Sequence, residues 1–147
     1  MTEEPKFIVP AECPSARYYP TLRVMTWHPS GVLDNDRADQ TIEYLESHEL
    51  IEKEPFNRYT DMSGYTRMQI GLDHVVRIAR RRRRYAGPPV KSAFYAVRLI
   101  SVQIARMYEE LMAGSKIQVC TVRDRAAAAE WLGVPMEVLL PPKVGSE

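Results

Sequence analysis

The sequence predicts an α/β domain: a four- to five-stranded mixed sheet, largely parallel, with about four helices. Two observations carry this. Strand-like apolar stretches alternate with amphipathic stretches of helical period through residues 21–135. Turn-forming residues, among them Gly87-Pro88-Pro89 and Gly133, separate these stretches. At 147 residues and 45% hydrophobic content, one core can form without metal or disulfide staples. The expected organisation is an extended N-terminal arm (1–20), the α/β domain (21–135) and a C-terminal tail (136–147).

Pro5, Pro10, Pro14 and Pro20 keep the first twenty residues from forming a helix or a central strand, leaving an arm with room for an edge strand at Lys6–Val9. Thr21–His28 alternates Leu22, Val24 and Thr26 against Arg23, Met25 and Trp27, as a half-buried strand does. If the first set faces the core, Met25, Trp27 and Tyr65 form an exposed apolar patch or lie under the arm. Pro29-Ser30-Gly31 reads as a turn. Asp34 caps a helix over Asn35–His48 with Ala38, Ile42 and Leu45 on its inner face. Phe56–Met62 is a weaker strand, followed by a loop at Ser63-Gly64.

A second helix spans Ile70–Tyr85, with Leu72, Val75, Val76 and Ala79 inward. Val90–Val97 is a buried strand, and Leu99–Ala113 a third helix ended by Gly114. Ile117–Val122 is the next strand. Asp124 then caps a short alanine-rich helix, Arg125–Leu132, which Gly133 and Pro135 end.

Composition excludes several classes. Cys13 and Cys120 are the only cysteines, so there is neither a disulfide framework nor a zinc pattern, and a reducing cytoplasm is the expected compartment. No apolar run reaches the roughly 20 residues of a membrane span, and the acidic, proline-punctuated start is unlike a signal peptide. The net charge of +1 hides a split: residues 1–60 hold 11 acids and 6 bases, residues 61–147 hold 8 acids and 14 bases.

Several motifs in the 21–134 region agree in order and spacing with a known family. Ile104-Ala105-Arg106-Met107-Tyr108 lies on the third helix. Val122-Arg123-Asp124 ends the following strand, and Ala126–Gly133, AAAAEWLG, follows it. Gly31-Val32-Leu33-Asp34 and the strand end Tyr59–Met62 fit the same pattern. Together they resemble the SpoIIAA-like (STAS-like) family of small bacterial proteins. The resemblance implies a mixed sheet flanked by helices and a role in protein–protein regulation. The best-known members of that family bind a partner kinase and are switched by phosphorylation of a D-S-[S/T]-G loop, and some members dimerise. The nearest match here is Asp61-Met62-Ser63-Gly64, where methionine stands at the acceptor position. A second alignment moves the acceptor towards Thr66. The expected partner or regulatory loop is therefore Asp61, Ser63, Gly64 and Thr66.

The residues offer no convincing catalytic centre. His28, His48 and His74 lack metal-pair spacing, Cys120 reads as an inert core thiol, and no phosphate-binding glycine motif occurs. No cofactor is expected, and the chain reads as a non-catalytic interaction module. A small-molecule binder or enzyme would use a cleft at the carboxyl ends of the strands, near Asp61, Ser63, Arg98 and Arg123. The most unusual feature is the run Arg80-Arg81-Arg82-Arg83-Arg84, extended by Arg77. Five helical residues turn through about 500°, so Arg82 or Arg83 must lie against the core, its stem packed and its guanidinium reaching out. The run suits a helix C-terminus by complementing the dipole. Its density also fits nucleic acid, anionic lipid or an acidic protein surface. The acidic helix with Asp36, Asp39, Glu43 and Glu46 is one such surface, in this chain or in a second copy forming a homodimer.

Overall fold

The structure, a computed structural model, describes residues 5–142. In chain order its elements are β1 (Ala16–Tyr19), β2 (Val24–Trp27), β3 (Gly31–Leu33), α1 (Asn35–Ile51), β4 (Asn57–Asp61), β5 (Tyr65–Met68), α2 (Leu72–Arg82), β6 (Val90–Tyr95), α3 (Leu99–Leu111), β7 (Ile117–Val122) and α4 (Arg125–Leu132). Five strands form one sheet in the order β1-β2-β4-β6-β7. β2, β4, β6 and β7 run parallel, and β1 is antiparallel to β2. The α/β class with a mixed, mostly parallel sheet and four helices is the one the sequence predicts. β3 and β5 add a separate two-stranded parallel pair, where the sequence predicts a turn and a loop.

Strand residues alternate between two faces, and each face is covered. Leu33, Ala38, Met62, Ile78, Val102 and Ala105 build the core between the sheet and α1, α2 and α3. Val24, Tyr59 and Ala93 point the other way, against Ala128, Ala129 and Leu132 of α4. Helix starts and stops follow local chemistry. Asp34 accepts from the Arg37 amide at 2.9 Å and Asp124 from the Ala126 amide at 2.7 Å. Gly133 ends α4 at φ +71°, a conformation other L-residues adopt at a cost.

Four expectations change. The proline-punctuated segment is no appendage: Ala16–Tyr19 forms the edge strand, while Lys6–Val9 contributes only a bridge between Ile8 and Tyr18. The tail also packs inward, because the 3₁₀ turn Met136–Leu139 buries Val138 and Leu139 beside α4. The outer ends of both expected segments, residues 1–4 and 143–147, lie outside the described residues. β2 is buried on both faces, with Met25 and Trp27 packed against Leu45 of α1. Tyr65 is buried too, so Met25, Trp27 and Tyr65 form no exposed patch. Finally, Leu72 is 59% exposed, and Ile78 takes the inward place assigned to it. The outward position follows from α2 beginning at Leu72, where the helix has only entered the packing layer.

Candidate functional site

Asp61 ends β4 and is buried on the α4 side of the sheet. One carboxylate oxygen accepts from the Tyr59 hydroxyl at 3.0 Å and from Arg125 Nε at 2.9 Å. The other accepts from the Ser63 amide at 3.0 Å and the Ser63 hydroxyl at 2.5 Å. Burial works against the carboxylate's charge, but the bonds from Ser63, Arg125 and Tyr59 outweigh it, and the group titrates below its ordinary value. Ser63 itself is exposed, its hydroxyl also receiving Arg125 Nη2 at 3.2 Å. Arg125 stacks over Tyr95, 4.5 Å from the ring centre. Beside them His28 Nε2 donates to Leu139 O, 2.9 Å away, and burial lowers the basicity of the ring.

The predicted loop is thus one place, but its residues do different things. Asp61 fixes the turn, and Met62 is buried. Gly64 passes so close to the β2–β3 turn that an added Cβ would lie 2.3 Å from Pro29 O. Gly64→Ala should therefore cost about 1–3 kcal/mol through overpacking, read as a lower urea midpoint with an unchanged denaturant slope. Thr66 lies exposed on β5, where Arg98 Nη1 donates to the Tyr65 and Thr66 carbonyls, both at 3.2 Å. Those bonds tie the β6–α3 connection to the loop. Next to Arg98 stand Val97, Leu99 and Ile100, 49%, 71% and 48% exposed. Arg123 is exposed.

From the sequence Arg125 is only the first residue of a helix, Tyr59 only part of a strand end, and Val97–Ile100 no surface patch. Arg125 follows the capping Asp124, and only the parallel sheet brings it to the end of β4, 64 residues away. The apolar patch sits at the start of α3, where helical spacing alone assigns Ile100 to the core.

The arginine run splits. Arg81 makes a forked pair with Glu46 of α1, Nη2 to Oε1 at 2.6 Å. Arg82 is buried rather than reaching outward, and its guanidinium is held by Glu49. Burying that charge is possible because α1 supplies the carboxylate. Arg83 donates to the Leu111 and Ala113 carbonyls at 3.1 and 2.9 Å, closing the end of α3. Arg77, Arg80 and Arg84 remain exposed. Asp39 takes His74 of α2 at 2.7 Å. The acidic front half and the basic back half therefore meet within one chain, along the α1–α2 seam.

The surface and core also hold cavities. An open cleft of about 590 Å³ runs beside Glu49, Phe56, Arg58 and Tyr85. A smaller cavity of about 140 Å³ lies between the sheet and α1, α2 and α3. Neither is lined by Asp61, Ser63, Arg98 or Arg123. Among the described residues no helix is long and apolar enough to cross a membrane, and no cluster of potential metal ligands forms. No protein-family model matches the chain, and no curated protein or solved structure shows significant similarity to it.

Proposed function

We propose that the chain is a non-catalytic regulatory or protein-interaction module of the SpoIIAA-like type, working in the cytoplasm. Its working surface is the Asp61–Thr66 segment with the adjoining start of α3. The observation that carries this reading is the apolar trio Val97, Leu99 and Ile100, left exposed beside a polar loop that is itself firmly held. Apolar side chains clustered at the surface and rimmed by ordered polar groups fit a protein partner better than a solvated face. Ser63 adds a hydroxyl whose position Asp61 and Arg125 fix, and ordering it in advance lowers the cost of binding. With Met62 buried at the acceptor position, the module works without the D-S-[S/T]-G switch.

The test is affinity capture from the native lysate with wild type, Leu99→Asp and Ile100→Asp. Both variants should keep wild-type stability within about 0.5 kcal/mol, since surface changes rarely do more. A protein retained by wild type and lost by both supports the proposal. Identical capture by all three baits sinks it. Recovery of nothing but a second copy would replace a foreign partner with a homodimer.

A further inference from the structure

The cavity between the sheet and the three helices is walled mostly by apolar side chains, among them Ile42, Ile78, Phe94 and Ala105. At about 140 Å³ it is close to the ~150 Å³ engineered cavity that stays dry and takes up benzene. Two residues of its wall carry polar groups without partners. Trp27 and Arg58 are 3% and 2% exposed, and Trp27 Nε1 and Arg58 Nε and Nη1 are buried with no hydrogen bond among the described residues. Buried donors are nearly always satisfied, so these three are an exception that needs a cause. They belong together: β2 and β4 pair with Met25 opposite Arg58 and Trp27 opposite Thr60, so both side chains rise from the same face.

Charge points the same way. Around Arg58 three guanidinium groups, Arg58, Arg81 and Arg82, share two carboxylates, Glu46 and Glu49. Arg58 shares its one carboxylate, Glu49, with the buried Arg82, and burial already lowers the basicity of Arg58. A guest that brings an anionic acceptor would balance its charge. Arg58 also lines the open cleft, so it stands between that cleft and the cavity.

We propose that this cavity binds a small apolar carboxylic acid, with a ring-sized body among Ile42, Ile78 and Phe94 and its carboxylate on Arg58 and Trp27. Met62 and Tyr65 of the Asp61–Thr66 segment reach the wall of this cavity, but the proposal does not depend on the interaction surface.

Phenylacetate and its neutral counterpart toluene are the probes, each titrated into the full chain by calorimetry. Trp27 fluorescence in a Trp131→Phe background provides a second readout. The expected result is saturable 1:1 binding of phenylacetate, at least about tenfold tighter than toluene, as a charged hydrogen bond provides. Ala105→Leu, or Ala38→Val from the facing helix, should abolish it by filling the space while circular dichroism stays native. Arg58→Met should remove the preference for the acid. No saturable phenylacetate binding overturns the proposal. So does toluene binding as tightly as the acid, or phenylacetate binding that survives both filling variants. The wild-type comparison and the filling variants decide the matter even if Arg58→Met does not fold.

Discussion

Glu49→Ala is expected to lower the unfolding free energy by about 3–5 kcal/mol, the cost of stripping the partner from buried charges. One Glu49 oxygen accepts from Arg82 Nη1 at 2.9 Å. The other accepts from both Arg82 Nη2 at 2.5 Å and Arg58 Nη2 at 2.6 Å. Both arginines are 2% exposed, so neither can turn to water. Burial works against the charge on Arg82, but the bonds and field of Glu49 outweigh it. Without Glu49, Arg82 keeps Glu46 at 3.4 Å and the face of Tyr85, and Arg58 keeps the faces of Phe56 and Tyr85 but no carboxylate among the described residues. Glu49→Gln should fall between, since it retains an acceptor oxygen but no charge. Arg80→Gln and Arg84→Gln, changes in the same run at exposed positions, should stay within about 0.5 kcal/mol of wild type. Urea denaturation of the four variants separates these cases. A Glu49→Ala midpoint no lower than that of Arg80→Gln would show that the cluster contributes nothing net.

That contrast also marks what the sequence can carry. Alternating periodicities and capping residues such as Asp34 and Asp124 are local, so the four helices and the parallel strands are legible from the chain. Helix geometry likewise dictates that one arginine of the run must face inward. What it reaches is not local. Glu49 lies 33 residues before Arg82, and only the seam between α1 and α2 joins them. β3 and β5 are three and four residues long and pair only with each other, too short for a period to register. Met25 and Trp27 read either as an exposed patch or as residues under the arm because alternation implies one wet face; in the structure Ala16 and Tyr18 of the arm and Leu45 of α1 cover them, since a sheet covered on both sides has no wet face. At the candidate site the Asp61–Gly64 loop stands out by its residues. Arg125 does not, because its role exists only once β4 and α4 lie side by side. The exposed Val97, Leu99 and Ile100 show the opposite failure: apolar residues at core spacing that the fold leaves outside.

Asp61→Ala should cost about 3 kcal/mol at neutral pH, because it leaves Tyr59 Oη, the Ser63 amide and Arg125 Nε without their acceptor in a buried place. Asp61→Asn keeps one oxygen and should cost about 1–2 kcal/mol. The pH dependence then identifies the charge. A carboxyl whose folded pKa lies below its ordinary value of 3.8 stabilises the fold fully above that value. The contribution is lost as pH falls through the lower, folded value. The gap between wild type and Asp61→Asn should therefore lose nothing from pH 7 to 5 and shrink only below about 4. His28 and His48 act in a different window. Burial lowers both from 6.5, so the folded state resists their protonation, and stability begins to fall once pH drops below 6.5. The His48 part of that decline is common to wild type and Asp61→Asn and cancels, but His28 Nε2 lies 3.9 Å from Asp61, whose charge favours its protonation, so the gap should hold or widen slightly between pH 7 and 5. Urea midpoints at pH 7, 5, 4 and 3 measure both. A gap already closing between pH 7 and 5 would mean that Asp61 is not held as a charged acceptor, and that the Ser63 loop owes its order to something else.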